Sequence, residues 1–151
     1  MASVVSGAEP AVRTTMSLND DWQFYFIDDD ISDASYITLP HTWSDGKQEC
    51  CYATANYVRS FMVPATMRGK RLFLRFGGVQ SMAEVFVNGR YVGEHRGAYT
   101  SFTLEITDKV RYGESNSLMV VVSNNPRSDT LPIITDQEPS NGQTKRELPR
   151  V

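Results

Sequence analysis

The stretch Ala83-Glu84-Val85-Phe86-Val87-Asn88-Gly89-Arg90-Tyr91-Val92-Gly93 decides the fold class. Two segments rich in β-branched and aromatic residues flank Asn88-Gly89, and Asn-Gly is the strongest short-range signal for a two-residue β-hairpin. The type I′ turn of such a hairpin needs a positive φ at both central residues, which Asn and Gly tolerate. The sequence therefore predicts two antiparallel strands joined by a tight turn.

Further short strands are predicted on both sides of this hairpin, because segments rich in apolar and aromatic residues are separated by turn signals such as Pro and Gly, and apolar residues alternate with polar ones in two of them, at residues 22–26 and 102–106. The predicted strands are Trp22–Phe26, Tyr36–Leu39, Tyr57–Val63, Arg71–Phe76, Phe102–Ile106 and Leu118–Val122. Leu118–Val122 is apolar at every position, which predicts a strand buried on both faces. About eight short strands and no long helix predict an all-β antiparallel sandwich or jelly roll.

The composition indicates one folded unit with a tail at each end. The 151 residues are enough for a single domain with its own core. Residues 1–16 are mostly small or polar, and residues 135–151 contain no aromatic residue, so both segments are predicted to be flexible tails. The expected folded domain is residues 17–134.

Charge and hydropathy exclude several classes of partner. The formal net charge is −3 at pH 7, which disfavours binding to nucleic acid or to an anionic membrane surface. No run of about 20 apolar residues could cross a membrane. Residues 1–12 show no intact signal peptide, so we expect a periplasmic or secreted location if a signal was removed and a cytoplasmic one otherwise.

Histidine and cysteine are present without a catalytic pattern around them. His41 and His95 have no Gly-x-Ser-x-Gly motif beside them, and a histidine bonded to its own loop is the favoured interpretation. Cys50 and Cys51 are adjacent, so we expect two free thiols. Two thiols and two distant histidines make a poor zinc site.

The sequence does not identify a pair of catalytic carboxylates either. A glycosidase needs two carboxylates about 5–10 Å apart, one of them kept protonated by an apolar setting. Glu84, Glu94 and Glu105 lie on or beside strands, where solvent-facing positions explain all three. The acidic loop at residues 28–33 lacks the ligand spacing of a calcium loop. We therefore expect no catalytic residue, metal or cofactor in this chain.

Carbohydrate binding is the class that the side chains could support. It uses aromatic faces that stack on sugar rings and polar groups that bond hydroxyls. Trp43, Tyr99 and the segment Asn124–Asp129 provide both. However, such aromatic residues are often core anchors of small sandwiches, and Asn-Asn-Pro is an ordinary turn sequence. The residues alone leave both interpretations open.

A series of motifs, in this order and spacing, resembles one protein family. The motifs are Ser17–Trp22, Leu39-Pro40-His41-Thr42-Trp43, Tyr57–Pro64, Phe76–Val79, Ala83–Gly89, Val92–His95, Gly97–Phe102, Gly113–Leu118 and Val120–Asn125. Together they resemble the N-terminal sugar-binding domain of glycoside hydrolase family 2, the group of β-galactosidases, β-glucuronidases and β-mannosidases. The resemblance covers about residues 17–133.

The resemblance implies a jelly roll of the galactose-binding-like type that packs against an immunoglobulin-like domain and a (β/α)8 barrel. The family's catalytic glutamates lie on the barrel, so it implies no hydrolase activity for this chain alone and only weak binding of carbohydrate. It also implies a substrate-contacting position after the last strand, at Asn125 with Asn124 and Asp129 nearby. The alternative is a free-standing carbohydrate-binding module or lectin-like sandwich.

The end of the chain departs from the family pattern. The family usually continues with an aromatic, glycine-rich stretch, whereas this chain reads Ile134-Thr135-Asp136-Gln137-Glu138. We therefore expect a chain whose end is truncated or altered relative to the family.

Overall fold

The computed structural model describes residues 2–7, 13–43, 52–97 and 100–125. These residues form strands that alternate with turns and two short 3-10 segments, Ile31–Asp33 and Ala65–Met67. The strands are β1 Ala2–Gly7, β2 Thr14–Ser17, β3 Trp22–Phe26, β4 Ser35–Ile37, β5 Thr54–Met62, β6 Arg71–Phe76, β7 Met82–Val87, β8 Arg90–Arg96, β9 Phe102–Glu105 and β10 Ser115–Ser123. Within the described ranges, no helix is long and apolar enough to cross a membrane.

The strands form two antiparallel sheets that pack face to face. The four-stranded sheet has the order β2-β1-β6-β9, and the six-stranded sheet has the order β4-β3-β5-β10-β7-β8. Between them lies one apolar core to which both sheets contribute, including Leu72 and Leu74 from β6, Val85 from β7 and Leu118 from β10. The predicted all-β antiparallel sandwich is confirmed.

One glycine accommodates a side chain where the edges of the two sheets meet. A Cβ added to Gly93 on β8 would lie 2.8 Å from the Cδ2 atom of Leu104 on β9. Real Cβ atoms essentially never come so close, so a larger residue at this position would require the Leu104 side chain to shift. The glycine therefore leaves room for the Leu104 side chain where the edges of the two sheets meet.

The predicted Asn88-Gly89 hairpin is confirmed. Val87 and Arg90 are register partners, and the φ angles of Asn88 and Gly89 are 51° and 74°. The side chain of Asn88 adds a second role, since its Oδ1 atom accepts a hydrogen bond from the Ser117 backbone N–H at 3.0 Å. Asparagine thus both adopts the turn conformation and fastens the turn to β10.

The prediction of a flexible tail over residues 1–16 is wrong for the residues that the structure describes. β1 pairs with β6 from Ala2↔Phe76 to Gly7↔Arg71, and β2 pairs with β1. Ala2 and Val4 are 1% and 7% exposed. Their small side chains reach the core because β1 pairs with β6. The two strands lie more than 60 residues apart in the sequence, so the sequence around residues 2–7 gives no sign of this pairing. The predicted tail at residues 135–151 lies outside the described residues.

The prediction that Leu118–Val122 is buried on both faces is wrong as well. Leu118, Val120 and Val122 are buried in the core, but Met119 and Val121 point to the opposite face and are only half-buried. β10 is a central strand of its sheet with one face on the core. Its second apolar face therefore has no covering layer among the described residues.

Candidate functional site

Several strand ends meet at one end of the six-stranded sheet. β3 ends beside the start of β5, where Phe26 pairs with Ala55, and β10 ends where Ser123 pairs with Thr54. β7 begins at the same place, since Ser123 also pairs with Met82. We call this end of the sheet the rim. The predicted site residues Asn124 and Asn125 follow β10 directly at the rim.

Asn124 joins two strand ends at the rim through hydrogen bonds. Its Oδ1 atom accepts a hydrogen bond from the Ala53 backbone N–H at 2.7 Å. Its own backbone N–H donates to the Ala53 carbonyl oxygen at 3.2 Å. Asn124 therefore ties the exit of β10 to the entrance of β5, a task that its position 71 residues from Ala53 does not reveal in the sequence.

Asn125 is exposed and only loosely held. Its Nδ2 atom lies 3.4 Å from the Thr54 hydroxyl, and its backbone N–H donates to the Ser123 hydroxyl at 3.3 Å. The two hydroxyls are themselves hydrogen-bonded at 3.2 Å. The rim thus presents an amide and two hydroxyls, the kind of groups that bond sugar hydroxyls. Asp129, Tyr99, Cys50 and Cys51 lie outside the described residues.

Trp43 belongs to the margin of the core. Its indole N–H donates to the Tyr57 hydroxyl at 2.8 Å, and its ring meets the Phe26 ring edge-on at 5.7 Å. The same hydroxyl lies 3.0 Å from Nδ1 of His41. Tyr57 is 8% exposed, so its hydrogen bonds attach both His41 and Trp43 to a buried residue of the sandwich. The arrangement favours Trp43 as a core anchor over Trp43 as a stacking platform for sugar.

Tyr57 should make stability depend on alkaline pH. Burial raises the pKa of Tyr57 from 10.0 to about 12, although the Trp43 hydrogen bond acts in the opposite direction. The folded-state pKa lies above the unfolded value, so the stabilisation is present below pH 10 and is lost as pH rises through 12. This pKa difference between the folded and unfolded states corresponds to about 2–3 kcal/mol of the free energy of unfolding. Chemical unfolding at pH 9 to 12 should therefore show a weaker pH dependence for Tyr57→Phe than for the wild type.

The control for this prediction is Tyr36→Phe, because Tyr36 is 75% exposed. Its unfolding profile should follow the wild type at every pH. At neutral pH, Tyr57→Phe should cost about 1 kcal/mol because the Trp43 indole N–H loses its acceptor. Parallel profiles for Tyr57→Phe and the wild type would contradict the role given to the buried hydroxyl.

His95 bonds within its own loop, as the sequence interpretation expected. Its Nε2 atom lies 2.8 Å from the Thr100 hydroxyl, and its ring stacks on Phe102 at 4.2 Å. Phe102 in turn stacks on Phe76 of the core at 4.6 Å. These stacked rings connect His95, and through it the Thr100 hydroxyl, to the core of the sandwich.

The glutamates lie in solvated settings. Arg71 binds Glu105 through two hydrogen bonds of 2.9 and 3.0 Å, and both side chains are exposed. Glu84 and Glu94 are register partners on β7 and β8, and Arg96 lies 3.3 Å from Glu94. None of these three glutamates is buried. None of them therefore has the apolar surroundings that keep the carboxyl group of a catalytic acid protonated. Among the described residues, no three His, Cys, Asp or Glu side chains group as a metal site requires.

A scan against known families matches residues 9–142 to the sugar binding domain of glycosyl hydrolases family 2. The chain belongs to this family. The match includes the rim, both asparagines and every strand from β2 to β10. It also begins before the predicted start of the domain at Ser17, and it leaves out only β1.

Named relatives of this sugar-binding domain are glycosidases of greater length. A β-glucuronidase of Bacteroides fragilis is 41% identical over 131 residues, which is 83% of this chain and 19% of the relative. A β-galactosidase of Thermoanaerobacter pseudethanolicus is 33% identical over 122 residues, which is 72% of this chain and 16% of the relative. The chain therefore spans less than a fifth of the length of these relatives.

A solved structure has the same fold. The β-glucuronidase of Lactobacillus rhamnosus superposes with a TM-score of 0.70 at 29% identity, over 79% of this chain and 22% of that protein. The superposition covers most of the sandwich. It supports the assignment of both sheets to the sugar-binding domain of this family.

Proposed function

We propose that this domain is a non-catalytic accessory part of a longer family 2 glycosidase of the β-glucuronidase or β-galactosidase type. The observation that carries the proposal is the exposed Asn125 amide at the rim of a domain that spans less than a fifth of its glycosidase relatives. In this proposal the remaining polypeptide, with an immunoglobulin-like domain and a (β/α)8 barrel, supplies the acid and the nucleophile.

The two asparagines have different parts in the proposal. Asn125 contributes one wall of the substrate pocket, because its exposed amide can exchange the 3.4 Å contact with Thr54 for a sugar hydroxyl. Asn124 holds the rim in place through Ala53. Asp129, four residues beyond Asn125, remains a predicted second polar group of the same wall.

The test compares the 151-residue chain with the full-length protein. The purified chain should not hydrolyse nitrophenyl β-glucuronide or nitrophenyl β-galactoside, whereas the full-length protein should hydrolyse one of them. In the full-length protein, Asn125→Ala should lower kcat/KM by about fivefold, the value of one lost hydrogen bond of about 1 kcal/mol. Sustained turnover by the repurified chain would contradict the proposal.

Asn124→Ala is the matched control for Asn125→Ala. It removes the hydrogen bond to Ala53, so it should lower the melting temperature of the 151-residue chain, with a cost of about 1 kcal/mol. Asn125→Ala should leave that temperature unchanged because the side chain is exposed. If Asn125→Ala destabilises the chain as much as Asn124→Ala does, the substrate role of Asn125 is wrong.

A further inference from the structure

Tyr52 is an exposed aromatic residue at the rim, next to Ala53. Its exposure is 54%, similar to that of Tyr91 on β8. The Tyr91 ring, however, meets the Phe86 ring edge-on at 5.7 Å. Within the described ranges, the Tyr52 side chain makes no hydrogen bond and no ring contact. Both its ring and its hydroxyl are therefore available to a ligand.

The pairing of β5 with β10 brings Tyr52 beside Asn125. The register pairs the two strands up to the rim. One residue further, the Asn124 backbone N–H donates to the Ala53 carbonyl oxygen at 3.2 Å, and the Ala53 N–H donates to Asn124 Oδ1 at 2.7 Å. The next residue is Tyr52 on one segment and Asn125 on the other, so the same register places these two opposite each other.

The Asn125 amide lies on the same face of the sheet as Tyr52. Successive side chains of an extended chain point to opposite faces, so Tyr52 shares a face with Thr54. Asn125 Nδ2 lies 3.4 Å from the Thr54 hydroxyl, and that hydroxyl lies 3.2 Å from the Ser123 hydroxyl. Side chains opposite each other in an antiparallel pair have Cβ atoms about 4.5–5.5 Å apart. The rim therefore presents an aromatic ring next to an amide and two hydroxyls.

Ile27 adds apolar surface on the β3 side of Thr54. Its backbone N–H donates to the Thr54 carbonyl oxygen at 2.9 Å, one step beyond the last register pair of β3 and β5. Its side chain is 57% exposed. The three segments that carry Ile27, Tyr52 and Asn125 are neighbours, and two strand spacings give this patch a width of about 10 Å. An aliphatic side chain and an aromatic ring thus border the same hydroxyl groups.

This combination matches the two kinds of surface that a pyranoside has. A sugar ring has a face of C–H groups, which packs on an aromatic ring, and an edge of hydroxyls, which bond to amides and other hydroxyls. Single exposed apolar residues are common on protein surfaces and need no ligand. Tyr52 differs from them because polar partners for sugar hydroxyls lie directly beside its ring. Trp43 cannot take this part, because its N–H is bound to Tyr57 and its ring packs on Phe26.

We propose that Tyr52 is the stacking residue of the substrate pocket. Its ring packs on the C–H face of a pyranoside substrate, while the Asn125 amide bonds a hydroxyl of the same sugar and Ile27 extends the apolar contact. The inference rests on the proposed function and adds an aromatic contact to it. Tyr52 and Asn125 form one side of the pocket only, so the isolated chain binds sugar weakly and the effect is measured in the full-length protein.

Steady-state kinetics of the full-length protein test the proposal. Tyr52→Ala should lower kcat/KM for the nitrophenyl glycoside that the protein hydrolyses by about fivefold, which corresponds to about 1 kcal/mol. Tyr52→Phe should retain the wild-type value, because stacking uses the aromatic face. The matched control is Tyr36→Ala, which removes a 75% exposed tyrosine from β4 and should leave kcat/KM unchanged.

Two further measurements separate stacking from a structural role. Galactose or glucuronate bound to the full-length protein should show C–H protons shifted upfield in NMR spectra, because these protons lie over an aromatic ring. Part of this shift should persist in Tyr52→Phe and disappear in Tyr52→Ala. The melting temperature of the 151-residue chain should be the same for Tyr52→Ala and the wild type. A melting temperature lowered as far as by Asn124→Ala would assign Tyr52 to the fold and overturn the proposal.

The outcomes distinguish this proposal from the proposed function. If Tyr52→Ala keeps the wild-type kcat/KM while Asn125→Ala lowers it, the stacking role is wrong and the accessory role stands. If Tyr52→Phe loses as much activity as Tyr52→Ala, the hydroxyl acts on the substrate instead of the ring, and the stacking role is again wrong. If the 151-residue chain alone hydrolyses the glycoside, the accessory role is wrong, and the same variants made in that chain test the stacking role by the same criteria.

Discussion

Asn116→Leu should destabilise the domain by about 2–4 kcal/mol, because it removes every hydrogen bond of a buried amide. Asn116 is 1% exposed. Its Oδ1 atom accepts from Asn88 Nδ2 at 2.8 Å and from the Arg111 N–H at 2.6 Å. Its Nδ2 atom donates to the carbonyl oxygens of Arg111 at 2.9 Å and of Glu114 at 3.1 Å. The amide thus uses its full hydrogen-bonding capacity, and a leucine of similar size would leave these partners unsatisfied.

The measurement is equilibrium unfolding in urea, with Ser117→Ala as the control. Ser117 neighbours Asn116 but is exposed, so its hydroxyl should contribute less than about 0.5 kcal/mol. Asn116→Asp provides a second variant that keeps the shape and the acceptor. Its carboxylate would face the carbonyl oxygens of Arg111 and Glu114, so it should also be strongly destabilised. Unfolding midpoints for both variants within error of Ser117→Ala would show that the network contributes little.

The hairpin that contains Asn88 can be predicted from the sequence because its signals are local. Asn88-Gly89 is a turn signal between two segments rich in strand-forming residues, and Phe102–Ile106 alternates apolar with polar residues, so the two hairpin strands and β9 are predicted from the local sequence. The strand at Ala2–Gly7 has no such signal. Its small residues become core residues only through β6, about 70 positions away, and loop-closing contacts of this kind leave no trace in the local pattern.

The candidate site could also be predicted only in part from the sequence. Asn124 and Asn125 look equivalent in the sequence, as a turn or as a pair of sugar ligands. The structure separates them, because only Asn124 reaches Ala53 across 71 residues. Trp43 illustrates the same limit. By composition it could be a surface aromatic, and its 2.8 Å hydrogen bond to the buried Tyr57 assigns it to the margin of the core.

The last residues of β10 show what a binary pattern leaves undecided. Five consecutive apolar residues indicate that both faces of the strand avoid water, which the sequence attributes to the interior of a sandwich. In the structure only one face meets the core, and Met119 and Val121 lie on the other. The pattern marks two apolar faces, and the described residues cover only one of them.

The isolated chain should bind glucuronate, galactose or lactose with a dissociation constant weaker than about 1 mM, which corresponds to about −4 kcal/mol. One exposed amide at Asn125 provides one or two hydrogen bonds of about 1 kcal/mol each. Association costs at least about 4 kcal/mol in lost translational and rotational freedom. A single wall of a pocket does not offset that cost, so tight binding requires the remaining polypeptide.

A free-standing carbohydrate-binding module would behave differently in the same titration. It would stack the sugar on an exposed aromatic ring and bond it from several sides, with micromolar affinity. Trp43 is poorly placed for this, since its ring contacts Phe26 and its N–H is committed to Tyr57. Calorimetry or NMR titration of the 151-residue chain decides the question. Saturable micromolar binding that Trp43→Ala or Tyr99→Ala abolishes without unfolding the chain would replace the accessory-domain proposal with the lectin-like one.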